Sequence, residues 1–557
     1  MPSFDIAQTL QDAVALHRQG RLREAGKLYA RVLKAAPAHF DALHLSGLCK
    51  AQSGQMGEAH RLMAAALKIN AKAPDAWMNF ANVLHALKRD REALDALDKA
   101  LALRPGDSDA LAKRGNALAA LERPQEALAA FDAALARHPR HGDALIGRGI
   151  AHATLGQAAE ALADFDAALK LAPGHPAALY NRGNALLDLG RYAQALAAFD
   201  ATLAAAPDHV AAWNNRGRAL QALNRHADAV ASFDKAIALR QDYADAHSNR
   251  ALSLLTLGDL RSGFAEYEWR WKRSGIADTR RSYRGGLWLG KYPLAHKTVL
   301  LHAEQGLGDT IQFARYVPLL ARAGTTVVLE VQPALKELFA TLPGAAAVVA
   351  RGEPLPPYDV HCPLGSLPLA LKTGPDNIPA ELPYLQADPA RIAKWRPALE
   401  ALPGKRVALA WAGNPAHPND RNRSINAELL EPLLALDGVS FVSLQRELCS
   451  GDAEWLARHP QMRLLGSELA DFADSAAVVS LCDLTLAVDT ALAHLAGAMA
   501  RPVWVMLPFS PDWRWTLAGD VSPWYPRARL FRQPAPGDWA SVIARLRDAL
   551  AGFVGEP

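Results

Sequence analysis

A proline returns every 34 residues, at Pro105, Pro139, Pro173 and Pro207, with Pro37 in the same register. Gly115, Gly149, Gly183 and Gly217 keep the same period, as do Ala93, Ala127, Ala161, Ala195 and Ala229, and Phe131, Phe165, Phe199 and Phe233. A period of this length leaves few choices. Each unit is one pair of amphipathic helices that cannot bury its apolar face alone, so neighbours must stack. Read back and forward in register, about eight units cover residues 6 to 277. The small residue at unit position 8 and the alanine at position 20 let the paired helices approach. The aromatic at position 24 fills the space between them, and the proline ends the second helix.

This small-residue, alanine, aromatic, proline pattern resembles the tetratricopeptide (TPR) repeat, and the resemblance implies an α-solenoid over 1–277 that presents a groove. Two further columns bear on what such a groove holds. Asparagine recurs at position 6 (Asn79, Asn181, Asn215, Asn249) and at position 9 (Asn82, Asn116, Asn184), one helical step apart on one face. Asparagine is a poor helix former, and its amide both donates and accepts, which suits an extended peptide main chain. The arrays attached to protein O-GlcNAc transferases have such an asparagine ladder, and this array resembles them. Solvated polar residues inherited with the repeat are the alternative. Arginine fills position 7 (Arg114, Arg148, Arg182, Arg216, Arg250) and an acid fills position 25 (Asp98, Asp132, Asp166, Asp200, Asp234). Each Asp precedes an Arg by sixteen residues. The spacing predicts a structural ladder of charge pairs, with Glu268 as a further partner for Arg250.

Composition narrows the class. A chain of 557 residues exceeds one core. Its net charge of +4 gives no reason to expect nucleic acid. Cys49, Cys362, Cys449 and Cys482 lie far apart without C-x-x-C spacing, which indicates neither a disulfide framework nor a zinc site. The start, MPSFDIAQTLQDAV, carries acids where a signal peptide carries basic residues, and no apolar run approaches the length of a membrane span. These features predict a cytoplasmic chain without a membrane span.

The repeat grammar stops near the middle. GDLRSGFAEYEWRWKRSG keeps helical spacing without the proline, and TRRSYRGGLWLGKYP has no period, so a junction is expected over 278–296. Trp269, Trp271 and Trp288 are expected to anchor the last repeat against the next domain, with an aromatic sugar platform as the sharper alternative. From Thr298 short apolar runs alternate with helical segments, as in parallel βα units. TVLLHA, TTVVLEV, VALAWAG, VSFVSLQ, LTLAVD and PVWVMLP read as strands. The expected architecture is α/β, with two Rossmann-like lobes over 297–386 and 387–557 and a ligand in the cleft between them.

Three motifs lie just after strands. Glu304-Gln305-Gly306-Leu307-Gly308-Asp309-Thr310 has two glycines for close backbone approach, and a helix is expected from Asp309 or Thr310. Asp309 is either an N-cap or a general base. Trp411-Ala412-Gly413-Asn414-Pro415 precedes Asn419-Asp420-Arg421-Asn422-Arg423-Ser424 and the expected helix INAELLEPLLAL. There Arg421, Arg423 and Ser424 suit a phosphate by charge, fork geometry and dipole, unless they form a solvated basic loop. In the third, Asp489 and Thr490 end a strand and His494 comes on the next helix, on the same face as Thr490. Free amides at that helix start suit phosphate, and Asp489 suits sugar hydroxyls.

In this order the three motifs resemble inverting GT-B glycosyltransferases of the ADP-heptose:lipopolysaccharide heptosyltransferase type, over residues 297 to 555. The resemblance implies that Asp309 is the acceptor base and that Asn414, Arg421, Arg423, Ser424, Asp489, Thr490 and His494 lie at the donor site, with Gly306, Gly308 and Thr310 in the supporting loop. The segment DRNRS stands where that family has a phosphate-binding lysine. The whole chain resembles bacterial TPR glycosyltransferases, including those that glycosylate flagellin, and protein O-GlcNAc transferases. It implies transfer of a hexosyl, heptosyl or nonulosonyl group from a nucleotide sugar to Ser or Thr of a protein held in the TPR groove. No cofactor and no metal are expected, since no D-x-D pair is placed for one. The alternatives are a TPR scaffold with an inactive transferase-like domain, and a transferase acting on lipopolysaccharide or polysaccharide.

Overall fold

The computed structural model describes residues 5–273, 281–417, 419–449 and 451–555. It comprises two compact units, residues 1–219 and 220–557. The sequence boundary at 277/278 lies outside the described residues, and the repeat helices continue past residue 219 to Tyr267.

In the first unit a 13-residue helix and a 14-residue helix alternate, from Ile6–Arg18 and Leu22–Ala35 to Pro176–Asp188 and Tyr192–Ala205. Side chains one residue ahead of the first helix of a pair cap it: Asp107 accepts from the Ala110 N–H at 3.0 Å, and His141 and His175 accept at 3.3 Å from Ala144 and Ala178. The paired helices approach closely because position 8 is small. A Cβ on Gly115, Gly149 or Gly183 would stand 2.5–2.6 Å from the ring of Phe131, Phe165 or Phe199. Those rings are buried at 0–1% exposure. At ~3–5 kcal/mol for truncating a buried Phe, this column holds the array.

The charge ladder forms as its spacing predicts. Arg114, Arg182 and Arg216 bond Asp98, Asp166 and Asp200 at 2.6–2.8 Å, and Arg148 bonds both Asp132 at 2.8 Å and Asp164 at 2.6 Å. In the second unit Arg250 bonds Asp234 at 2.6 Å, and its further partner is Glu266. Glu268, the expected one, instead pairs with Arg270 at 2.6 Å. The last repeat ends in a 3-10 turn, Glu268–Lys272, which turns Glu268 away.

The asparagines do not share one fate. Asn82 and Asn116 are exposed. Asn79 meets His44 at 3.1 Å. Asn215 is 9% exposed, donates to Asn184 at 2.8 Å and Tyr180 at 3.3 Å, and accepts from Asn214 at 3.0 Å. Its amide ties one repeat to the next, so it has little left for a peptide.

The second unit begins with the remaining repeat helices, His226–Leu239, Ala244–Thr256 and Leu260–Tyr267. Two parallel sheets come next. The first has strands β1 (Gly286–Leu287), β2 (Thr298–His302), β3 (Thr326–Val331), β4 (Ala345–Ala350) and β5 (Val360–Pro363) in the order β1-β5-β2-β3-β4. The second has β6 (Lys405–Ala410), β7 (Val439–Ser443), β8 (Arg463–Leu464), β9 (Leu484–Val488), β10 (Val503–Leu507) and β11 (Ala528–Arg532) in the order β11-β10-β9-β6-β7-β8. One apolar core runs from Leu255, Leu260 and Phe264 of the last repeat through both sheets' inner layers, while a second lies under the helix Trp539–Gly555. Phe264 meets Trp513 and Trp524 edge-on at 5.5 and 6.4 Å. That aromatic trio, with Arg270, does the anchoring. Of the expected anchors, Trp269 stacks on His247 at 3.7 Å, the Arg270 guanidinium lies 4.7 Å over Trp271, and Trp288 is buried.

Between the helices of each pair one residue sits at positive φ every 34 positions: Gly20, Gly54, Gly156, Gly190 and Gly258, but Lys88, Glu122 and Asn224 in the same column. Lys88 and Glu122, at φ 61° and 57°, carry the Cβ penalty of the left-handed region. Lys88→Gly and Glu122→Gly are therefore each expected to stabilise by about 0.5–1 kcal/mol, net of glycine's entropy cost. Thermal unfolding of the two variants checks this, and a lowered melting temperature in both contradicts it.

Candidate functional site

Each sheet changes direction beside one strand, β2 in the first sheet and β6 in the second. In the first sheet β3 and β4 lie on one side of β2, with β5 and β1 on the other. In the second, β7 and β8 lie on one side of β6, with β9, β10 and β11 on the other. The second sheet has the doubly wound order, and in each sheet a crevice opens outside the carboxyl ends of the two strands at the switch. The three sequence motifs come directly after β2, β6 and β9.

After β2 the helix Leu307–Phe313 starts two or three residues earlier than expected, and its N-cap is Gly306, not Asp309. Asp309 Oδ2 accepts from the Gly306 N–H at 2.9 Å, and Oδ1 accepts from Arg514. Gly308 is small for a different reason than ligand access. A Cβ there would stand 2.7 Å from the His494 ring and 3.5 Å from Cα of Ala491, so the first turn of Leu307–Phe313 rests directly on the helix Ala491–Ala498 that follows the other sheet's β9. Thr310 is buried, and its hydroxyl is committed to Gly306 O and Gln332 Oε1.

After β6 the expected helix INAELLEPLLAL breaks into a 3-10 turn, Ala427–Leu430, and a four-residue helix, Glu431–Leu434, since Asn426 caps the turn and Pro432 opens the helix. Asp420–Arg423 is itself a four-residue helix, so no long dipole aims at Ser424. Arg423 instead bonds Asp420 at 3.1 Å and the Asp489 carbonyl at 2.9 Å, and a Cβ on Gly413 would meet its guanidinium at 2.4 Å. Ser424 Oγ accepts from the Gly413 N–H at 3.0 Å, Asn414 caps the turn at Ala416, and Arg421 is exposed.

After β9, Thr490 is the N-cap of Ala491–Ala498 but makes no capping bond, and its buried hydroxyl has no partner among the described residues. The first-turn amides of such a helix suit an outside acceptor. His494 faces inward at 5% exposure, with Nδ1 against the Tyr525 hydroxyl at 3.0 Å and Nε2 at 3.9 Å from Asp489. Burial, then Arg514 and Arg315, hold its imidazole well below the usual histidine range. Burial and the neighbouring Asp512 push Asp489 up to about 6. At the end of β2, burial likewise pushes Glu304 up to about 7, against the pull of Arg270 at 3.1 Å.

Sequence reasoning missed the centre of this arrangement. Arg514 is 7% exposed and bonds Asp309, Asp512 at 2.8 Å and Gln312. Gln312 Nε2 is buried without a hydrogen-bond partner among the described residues. The segment WRW, rich in arginine and aromatics between β10 and β11, was the available signal.

Comparison with known proteins places the repeats. A model described as "Tetratricopeptide repeat" matches residues 112–176, 180–244 and 216–268, and one described as "Anaphase-promoting complex, cyclosome, subunit 3" matches 18–100. Protein FlbA of Caulobacter vibrioides (strain ATCC 19089 / CIP 103742 / CB 15) is 29% identical over 324 residues, covering 54% of each chain. The chain thus spans about half the length of the curated relative it matches. Among solved structures, a tetratricopeptide repeat protein from Parabacteroides merdae ATCC 43184 is 19% identical with a TM-score of 0.38, covering 45% of this chain and 98% of that one. YrrB, described as a TPR protein with an unusual peptide-binding site, is 28% identical with a TM-score of 0.29, covering 33% and 95%. Residues 112–268 therefore carry TPR repeats, and such repeats are suited to protein interaction. No helix among the described residues is long and apolar enough to cross a membrane.

The Asp489 environment makes a pH-dependent expectation. A folded value near 6, against about 3.9 unfolded, means that the native state resists ionisation. Stability should therefore fall as pH rises from about 4 to 6 and stay level above that. Asp489→Asn removes the charge at constant size. It is expected to stabilise at pH 8 by on the order of 1–3 kcal/mol and to lose that advantage below pH 4. Thermal unfolding at pH 4, 6 and 8 checks this, and equal shifts at pH 4 and 8 contradict it.

Proposed function

We propose that this chain is an inverting glycosyltransferase of GT-B architecture that moves a sugar from a nucleotide donor to a Ser or Thr hydroxyl of a protein recruited by its repeats. The observation that carries the reading is that Arg423, after β6, bonds the Asp489 carbonyl beside the open helix start after β9, and that the first turn after β2, which holds Asp309, rests on that same helix through Gly308. In this reading Asp309 takes the hydroxyl proton as the oxygen attacks the anomeric carbon. The bond from that carbon to the phosphate oxygen breaks, and the nucleotide leaves with the electron pair. Arg423, the Thr490 hydroxyl and the amides of Ala491–Ala498 meet the charge on the leaving phosphate. Asp489 accepts from sugar hydroxyls. The repeats supply the protein acceptor, and the exposed Asn82 and Asn116 offer their amides to its main chain.

A second reading is a TPR interaction protein whose α/β part binds without turning over. It is favoured by the state of Asp309, both of whose oxygens already accept a hydrogen bond.

Intact-mass analysis of candidate acceptors co-expressed with the chain separates the two. A sugar-sized mass gain that depends on the chain is expected, and its size gives the sugar class. Asp309→Asn keeps the shape and the bond from Gly306 but removes the base, so transfer should drop by roughly 10² to 10⁴ with folding intact. Undiminished modification by that variant assigns the base to another group, and unmodified acceptors throughout favour the second reading.

A further inference from the structure

The loop between β10 and β11 touches two places at once. At one end Ser510 Oγ donates to the Gln221 carbonyl at 3.0 Å, and the Phe509 carbonyl accepts from Asn224 Nδ2 at 2.6 Å. Gln221 and Asn224 form the turn that opens the last repeats, and Gln221 is bonded onward to Ser253 at 2.9 Å and to the Asn249 carbonyl at 2.8 Å. At the other end, four residues on, Arg514 bonds Asp309, Asp512 and Gln312. Between the two, Trp513 packs on Phe264 of the last repeat, and the Arg514 guanidinium lies 4.4 Å over the Trp513 ring. Ser522 Oγ closes the loop by donating to the Arg514 carbonyl at 2.9 Å.

The Trp513–Phe264 contact belongs to the core, but the polar contacts go beyond what covering it needs. Arg514 could neutralise its charge on Asp512 alone, two residues away. Instead its fork reaches across to the helix Leu307–Phe313 and fixes both Asp309 and Gln312, and Gln312 Nε2 is left buried without a partner among the described residues. A bidentate cation that sets a carboxylate's direction, on a loop fastened at its far end to the repeats, has the form of a positioning device.

We propose that Arg514 is the positioning residue of Asp309, and that the segment Phe509–Trp515 makes its placement depend on the turn Gln221–Asn224 of the repeats. The inference rests on the glycosyltransferase reading and adds to it a route by which the repeats, beyond recruiting an acceptor, set the geometry of the proposed base. Arg514 acts through Asp309 and not on the donor. Donor binding is therefore insensitive to it, and turnover is not.

The remote end supplies a clean variant. Asn224 has φ 58°, a conformation that glycine adopts without strain, so Asn224→Gly deletes the bond to Phe509 and keeps the turn. Two measurements on the full chain test the proposal. Thermal shift with UDP, ADP, GDP and CMP reads nucleotide binding, and nucleotide release from the matching nucleotide sugars reads turnover. The wild type should bind at least one nucleotide. Asn224→Gly and Arg514→Met should bind it within about three-fold of wild type, since neither touches the donor in this proposal. Turnover should fall roughly 2- to 30-fold for Asn224→Gly, the usual span of remote coupling, and roughly 10² to 10⁴-fold for Arg514→Met. Arg514→Lys, which keeps the charge but reaches one partner, should recover part of the loss. Loss of nucleotide binding in Arg514→Met makes Arg514 a donor ligand and overturns the proposal. Wild-type turnover in Asn224→Gly overturns the dependence on the repeats. A wild type that binds none of the four nucleotides removes the glycosyltransferase reading itself and the proposal with it.

Discussion

A guanidinium that water barely reaches must find its counter-charge where it stands, and Arg514 finds its own on two elements. Asp512 is local, while Asp309 and Gln312 belong to the other sheet's first helix. With a carboxylate on each element, the guanidinium keeps a counter-charge when either one is lost. The close seat of Gly308 on His494 comes from the same approach. So does the inward turn of His494, whose neutral ring sits between Trp515 at 5.4 Å and Tyr525 at 5.5 Å. The two sheets are held together at the place where their switch points meet.

The second dependence is on the last repeats. Phe264 lies in the same core as β2, β3 and β10, and Arg270 is buried between Glu268, Glu304 and Ser366. Helices that by sequence continue the 34-residue array therefore complete the α/β unit. This is why the compact division falls at 219/220 and not at the end of the repeat pattern. A periodic sequence records what each helix pair needs from its neighbours. It does not record which pair has exchanged a solvent-facing end for a covered one.

The repeat half was legible because its packing is local. Small residues opposite Phe131, Phe165 and Phe199, and acids sixteen residues before arginines, arise from helix geometry at short range. The six strands with apolar β-branched runs were legible for the same reason. Five others were not. β1 and β8 have two residues each, β4 is alanine-rich, β5 sits in a proline-rich stretch, and β11 alternates arginine with apolar residues. Each is a strand because a neighbour offers an edge, which is a tertiary fact. The same holds for the site. Asp309, Arg423, Asp489 and Thr490 announced themselves by their places after strands. Arg514 did not, because its role comes from a loop crossing between sheets 205 residues apart in sequence from its partner. Asn215 shows the converse error, a recurring polar residue whose amide is taken up by Asn184 and Tyr180.

The central claim is that the neighbourhood of Asp309, Arg423 and Thr490 receives a nucleotide sugar. Hydrogen exchange on the full chain, with and without a saturating nucleotide, reads it most directly. Amides at the start of Ala491–Ala498 and in the loop from Gly413 to Ser424 should slow when the nucleotide is present, because a phosphate there accepts from the first-turn N–H groups and fixes Arg423. Protection confined to the repeats, or none at these two segments under saturating nucleotide, contradicts the claim.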